Sequence, residues 1–205
     1  MLREPTYWDD AKAHLRAQDS VIARIIDDYE EPPLRSKGRV FETLVHSIVG
    51  QQISAVAADA VWKRFLALVG DVEPDAVKAR SVSELRAVGL SGRKVEYILG
   101  LAEHAAWVGD FDWSELSDDE VRKKLTKLRG VGPWTAEMVL IFSLLRPDIL
   151  PLGDIGIVRA MEELYAGRER LEPMRLLEIA APWAPYRTVA VWYLWRHLDA
   201  EPVEY

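Results

Sequence analysis

Two features of this sequence have residue types and spacing suited to chemistry: the run Leu128-Arg129-Gly130-Val131-Gly132-Pro133-Trp134-Thr135-Ala136, and the carboxylate of Asp154 further along the chain. Two glycines one residue apart, then a proline, end one helix and begin another. Glycine accepts φ > 0 and lets another backbone come close, while Pro133, which has no N–H to lose, suits a first helical turn. The hairpin so formed points main-chain N–H groups outward at a helix N-terminus. That arrangement holds an anion, and a phosphodiester is the obvious one. Asp154 admits two compatible roles. Directly before Ile155-Gly156-Ile157-Val158 it fits a helix N-cap, and beside an anion-binding hairpin it also fits a catalytic carboxylate whose charge the helix dipole favours.

The elements that must position these residues read as helices, with no convincing run of alternating strand residues. Ser117-Asp118-Asp119-Glu120 fits a capping box and predicts a helix over about 118–128, leading into the hairpin. Val21, Ile22, Ile25 and Ile26 share one face of a helix expected to begin near Thr6 and to stop at Glu31-Pro32-Pro33. Phe41, Leu44, Val45 and Ile48 mark the next helix, and Val56, Ala60, Phe65 and Leu68 one that ends at Gly70. Ser81-Val82-Ser83-Glu84 caps a short helix before Val88-Gly89-Leu90-Ser91-Gly92, a weaker copy of the hairpin that is either a tight turn or a second contact. Val95, Ile98, Leu99 and Ala102 follow as another stripe. Met138-Val139-Leu140-Ile141-Phe142 is apolar nearly all round and belongs in the core, where it anchors the hairpin. Arg146-Pro147-Asp148 breaks that helix, and Ile149-Leu150-Pro151-Leu152-Gly153 is a constrained link to Asp154.

The chain's 205 residues suffice for one domain or two small lobes. Neither a charge-free apolar run of about 18 residues nor an N-terminal signal region is visible, so a soluble intracellular protein is expected. The absence of cysteine excludes disulfides and thiolate catalysis. His14, His46, His104 and His197 lack ligand spacing, which argues against metal catalysis. A net charge of −7 argues against wrapping nucleic acid by bulk electrostatics. Locally, Arg122, Lys123, Lys124, Lys127 and Arg129 crowd the approach to the hairpin, and Arg93-Lys94 follow the second glycine turn. These are either a basic face on an acidic body or ordinary solvated helix positions.

The hairpin with Asp154, the segment Phe41-Glu42-Thr43-Leu44-Val45-His46-Ser47-Ile48-Val49-Gly50-Gln51-Gln52-Ile53-Ser54, residues 85–98 and residues 183–195 together resemble the helix-hairpin-helix DNA glycosylase superfamily. Within it the resemblance is to the alkylation-repair branch, 3-methyladenine DNA glycosylase II. It implies an all-α, two-lobed fold with the active-site cleft between the lobes. Lobe one would span about 36–146 with the hairpin, and lobe two would join 1–35 to 147–205, in a single catalytic domain over 1–205. The additional N-terminal β domain of enteric relatives is expected to be absent. The function implied is that of a monofunctional DNA glycosylase, which flips an alkylated base out of duplex DNA and hydrolyses its N-glycosidic bond to leave an abasic site.

Carried over residue by residue, the resemblance makes Asp154 the catalytic aspartate. An alkylated purine is already cationic and leaves without protonation, so one carboxylate suffices to stabilise the oxocarbenium-like transition state. Trp134 stands where bifunctional relatives place a Schiff-base lysine, and an indole cannot be that nucleophile. Trp134 and Trp195 are implied pocket walls for stacking and cation–π contact, although core packing is the competing role for every tryptophan and is the one given to Trp192. Met138 and Gly153 stand where relatives have a tyrosine and an acid, implying a roomier, less polar pocket. Gln52 matches the intercalating residue, or is an exposed loop amide. Arg129, Gly130, Val131, Gly132, Thr135, Lys124 and Lys127 are implied DNA contacts. Backbone carbonyls of Thr126, Leu128 and Val131 are implied ligands of a structural Na or K ion, with no other cofactor. The absence of cysteine removes the iron–sulfur cluster of some relatives. The expected partner is double-stranded DNA containing alkylated bases, bound by a monomer in the cytoplasm, nucleoid-associated in a bacterium. Two other classes stay in view, a non-catalytic helix-hairpin-helix DNA-binding module and a helical interaction protein whose glycine turns are structural. A module that only grips DNA needs neither a carboxylate nor an aromatic pocket.

Overall fold

The structure, a computed structural model, describes residues 2–29, 32–104, 108 and 111–199. Among the described residues the only pairing of the strand type is one antiparallel bridge between Arg3 and Ser36; the rest is helix and loop. Two compact units divide the chain. One is the continuous stretch Gly38–Val139, and the other is drawn from both ends, through Lys37 and from Leu140 onward. The second boundary falls at 139/140, against the approximate 146 that the resemblance implies. The apolar run itself is divided, because Phe142 stacks on Trp195 of the end-built unit at 5.5 Å.

In the continuous unit the helix Val40–Gly50 packs against Ala55–Val69, Gly92–Glu103 and Pro133–Met138. Encirclement explains why it buries Phe41, Leu44, Val45, Ile48 and Val49 together with polar Glu42, Thr43 and Ser47. Glu42 is 4 % exposed, and its carboxylate is answered by Arg39 Nη1 at 3.4 Å. The helix Ala55–Val69 buries Val61, Phe65 and Val69, spaced i, i+4, i+8. Val56, expected in this stripe, is 81 % exposed: it lies in the first turn after the Ser54 cap, and burial begins one turn later. The capping boxes expected at Ser81–Glu84 and Ser117–Glu120 are both formed. The helix Asp118–Leu125 ends three residues sooner than expected.

In the unit built from the chain ends, the single helix expected from Thr6 is two, Trp8–Gln18 and Ser20–Asp28. Asp19 separates them. Its Oδ1 accepts the N–H groups of Val21 at 2.8 Å and Ile22 at 3.2 Å, a local bond that competes with helix continuation. Its Oδ2 accepts the Tyr165 hydroxyl and the Trp183 indole N–H, each at 2.8 Å. The stop expected at Glu31-Pro32-Pro33 partly lies outside the described residues, which omit Glu31; the helix has ended by Tyr29. The helix Arg187–Leu198 is buried from Thr188 to Arg196, and Trp192 sits edge-on to Trp8 at 6.4 Å in the core. Helices Ile155–Ala166 and Pro173–Ala180 complete the unit. Among the described residues no helix is long and apolar enough to cross a membrane.

Candidate functional site

The hairpin lies in the continuous unit. After Leu125 the chain tightens through short bonds, Leu128 N–H to the Leu125 carbonyl at 3.0 Å and Val131 N–H to the Leu128 carbonyl at 3.1 Å. The two glycines have different reasons for being there. Gly130 has φ +88°, and a Cβ there would lie 2.8 Å from Tyr97 Cβ and overlap the ring. Gly132 has φ −95° and ψ 179°, which any residue adopts, and nothing lies within 4 Å of a Cβ built there. Its glycine is therefore not required by the turn. Gly132 is the N-cap of Pro133–Met138, whose first-turn N–H groups have no partner within the helix by construction.

The basic residues around the hairpin are partly engaged. Arg129 pairs with Glu96 on the surface and lies 6.0 Å from the Tyr97 ring. An exposed pair of this kind is worth no more than about 1 kcal/mol and yields easily to a phosphate. Lys124 lies over Phe111 at 4.4 Å, and Arg122 pairs with Asp119 at 2.9 Å. Lys127 is exposed and, with Arg129 and Tyr97, borders a 590 Å³ groove beside the hairpin. In the second glycine turn, Gly89 has φ +107° and Arg64 Nε donates to the Val88 carbonyl at 2.8 Å, so the turn has a structural purpose.

Thr135 is 1 % exposed, and its Oγ1 accepts from Gln51 Nε2 at 3.1 Å. Its side chain does not face outward, which leaves any DNA contact at that position to its main-chain N–H. Val131 is also buried. Gln52, by contrast, is exposed with φ +59°, rare for a residue other than glycine, and the next apolar side chains along the chain, Ile53 and Val56, are exposed too. Sequence reasoning gave Gln52 a role and passed over Gln51, although they stand side by side in the quoted motif. Trp134 is half-buried, and Met138, expected to line a pocket, is 1 % exposed and presents no surface to a ligand.

Asp154 lies in the unit built from the chain ends, half-buried at the head of Ile155–Ala166, where its Oδ1 accepts the Ile157 N–H at 3.1 Å. The N-cap role is thus formed. The link before it is stapled to the start of Arg187–Leu198. Asp148 receives the Arg187 Nε at 2.6 Å and Nη2 at 2.7 Å, and this fork holds the Asp148 carboxyl below its ordinary value. Thr188 Oγ1 donates to the Arg146 carbonyl at 2.6 Å and accepts from Ile149 N–H at 3.0 Å. The same helix carries Trp195, which is 8 % exposed with one face against Phe142. Gly156 is what lets these parts come together: a Cβ there would lie 3.0 Å from Asp154 Oδ1 and 4.0 Å from Trp195 Cδ1. Among the described residues, no group of three or more His, Cys, Asp or Glu side chains could hold a metal ion.

A glycine hairpin opening into a proline-started helix, together with a capped, half-buried carboxylate further along a chain whose described residues are almost wholly helix and loop, defines a class. Residues 45–185 match the family described as "HhH-GPD superfamily base excision DNA repair protein", and the chain belongs to it. It is 31 % identical over 196 residues to DNA-3-methyladenine glycosylase 1 of Schizosaccharomyces pombe, covering 91 % of this chain and 86 % of that protein. Among solved structures, a 3-methyladenine DNA glycosylase of the same yeast in complex with abasic DNA superposes with a TM-score of 0.81 at 30 % identity, covering 91 % of this chain and 95 % of that one. A DNA-3-methyladenine glycosidase from Bacillus halodurans is 38 % identical with a TM-score of 0.71, covering 97 % and 93 %.

Proposed function

We propose that the protein is a monofunctional DNA glycosylase that removes alkylated purines of the 3-methyladenine type from duplex DNA. The observation that carries this reading is Asp154, a half-buried carboxylate held at a helix head by a stapled link, with Gly156 leaving room beside it. The base for which the similar proteins are named supports the substrate class. A cationic purine departs with the electron pair of its N-glycosidic bond and becomes neutral. The sugar is left as an oxocarbenium ion, which the ionised Asp154 stabilises while water adds to the anomeric carbon and loses a proton. No second carboxylate is needed as a general acid. Trp134, in place of a lysine nucleophile, supports hydrolysis without strand cleavage.

The remaining roles follow from exposure. Backbone N–H groups at Gly130, Gly132 and Thr135 grip phosphate, aided by Lys124, Lys127 and Arg129, while Val131, whose N–H is spent on the Leu128 carbonyl, holds the shape of the hairpin. Gln52, with exposed Ile53 and Val56 close by, fills the gap left by the flipped nucleotide. The half-buried indole of Trp134 and the 8 % of Trp195 that is exposed are the aromatic surfaces available to the base. Carbonyl oxygens suit hard cations. The Leu128 carbonyl spends one lone pair on Val131 N–H and keeps another for a Na or K ion shared with the carbonyls of Thr126 and Val131. The protein acts as a monomer in the cytoplasm. A module that only grips DNA would have no use for the stapled carboxylate.

The test is incubation with duplexes containing single alkylated purines. Abasic sites are expected, in strands that stay intact until alkali or heat is applied, with no borohydride-trapped adduct. Intact bases throughout the panel would refute the glycosylase, and a trapped adduct would refute the monofunctional mechanism.

A further inference from the structure

Gln51 closes the helix Val40–Gly50, its N–H donating to the Ser47 carbonyl at 3.1 Å. Its side-chain amide leaves this helix altogether. Nε2 donates to the Gly130 carbonyl at 3.0 Å and to Thr135 Oγ1 at 3.1 Å, using both of its hydrogens on the two ends of the hairpin. The next residue, Gln52, is exposed in a left-handed conformation that L side chains rarely adopt. Such a conformation persists only where the surroundings over-determine it, and it points to function rather than to packing. The helix end is held from a second side as well, since Lys94 Nζ donates to the Val49 carbonyl at 2.8 Å. A turn needing only to reverse the chain would not require two clamps from different elements.

We propose that Gln51 is a positioning residue: it locks the exposed Gln52 turn to the phosphate-gripping hairpin, so that gripping the backbone places Gln52 against the base stack. This inference rests on the glycosylase reading and adds how grip and insertion are coupled. A bond to Gly130 fixes the hairpin side, the chain bond to Gln52 fixes the other, and a short rigid amide spans them. Gln51 touches neither the reacting atoms nor the leaving base. Its loss acts through Gln52.

The experiment compares wild type, Gln51→Ala, Gln52→Ala, the double variant and Thr135→Val, which keeps shape but removes one of the two acceptors. Four quantities are read: melting temperature, affinity for undamaged duplex, extrusion of a fluorescent base analogue, and single-turnover excision. Gln51→Ala should keep undamaged-duplex affinity within about twofold while base extrusion and excision fall about tenfold, with Thr135→Val between it and wild type. The double variant should be no slower than Gln52→Ala alone, because one residue acts through the other. Placing the lesion in a mismatch, where less unstacking is needed, should restore most of the Gln51→Ala rate.

Wild-type excision by Gln51→Ala overturns the proposal while leaving the glycosylase reading intact. So do multiplying losses in the double variant, or an equal loss of undamaged-duplex affinity, which would make Gln51 only a brace for the hairpin. Should Gln51→Ala fail to fold, Thr135→Val decides, and unchanged extrusion in that variant overturns the proposal. A wild-type protein that releases no alkylated base overturns both readings together.

Discussion

Gly132→Ala separates what the fold demands of the hairpin from what a ligand demands of it. At φ −95° with nothing within 4 Å of the new Cβ, alanine fits the free protein. Two small terms then oppose each other: alanine is a poorer N-cap than glycine, and it narrows the unfolded ensemble. They cancel to within about 1 kcal/mol. For a chain of this length that leaves the melting temperature within about 4 °C of wild type. With a phosphate seated on the hairpin N–H groups, the added methyl stands between donor and oxygen. A lost charge-assisted hydrogen bond removes about 1.5–3 kcal/mol, or about 10- to 150-fold in Kd. Because phosphate contacts carry no sequence information, damaged and undamaged duplex should weaken by similar factors. Gly130→Ala is the contrasting control, since its positive φ and the Tyr97 ring forbid a side chain. The backbone term alone is about 1–2 kcal/mol, and the melting temperature should fall well beyond that of Gly132→Ala. Fluorescence anisotropy on matched duplexes at several salt concentrations, with thermal melts in parallel, reads all of this. A Gly132→Ala protein that binds undamaged duplex like wild type refutes the backbone approach, and one that loses only lesion preference shows that grip and pocket have been confused.

Asp154→Asn should fold and bind lesion DNA normally, since an amide oxygen still accepts the Ile157 N–H, while single-turnover excision falls by about three orders of magnitude or more; near-wild-type excision would remove Asp154 from the chemistry. Gly156→Ala places a methyl 3.0 Å from Asp154 Oδ1 and should push that carboxylate off its rotamer by about 0.5–1.5 kcal/mol, a drop of about 2- to 13-fold in the excision rate with little change in DNA affinity. Asp148 has its carboxyl held below the ordinary value by Arg187, so the stability it confers is present above the unfolded carboxylate range and is lost as pH falls through the folded value. Chemical denaturation from neutral pH downward should therefore show a shallower acid loss in Asp148→Asn than in wild type, and parallel curves would disprove the linkage.

Much of the positioning framework was readable because it depends on local chemistry. Both Ser-x-x-Glu capping boxes, the proline-started helix after Gly132 and the N-cap at Asp154 rest on bonds made within a few residues. What could not be read depends on distant partners. Asp19 falls within the stretch expected as one helix, yet it caps Val21 and Ile22 with one carboxylate oxygen while Tyr165 and Trp183, far along the chain, hold the other in place. Val56 matched the apolar period and stayed outside, because no neighbour covers the first turn of its helix. In the site, Gly130 and Gly132 looked alike in sequence and differ only once Tyr97 is seen beneath one of them. Trp195 fits either a pocket wall or the core in sequence, and the structure buries it to 8 % exposure against Phe142.

The way the two units are drawn from the chain sets an order of events during synthesis. The unit with the hairpin is one uninterrupted stretch, Gly38–Val139, and can condense as soon as that stretch has left the ribosome. The unit with Asp154 must wait. Its early residues are joined to late ones by hydrogen bonds, Tyr7 to the Leu145 carbonyl and Trp183 to Asp19, that span 138 and 164 positions, and closing such long loops is slow. Trp8, Ile22 and Ile26 thus spend most of translation without the C-terminal helix that covers them, and it is there, not at the hairpin, that a nascent chain most needs protection. A chain stalled after residue 139 carries the whole hairpin and no Asp154: on the glycosylase reading it would occupy DNA and leave the damage in place.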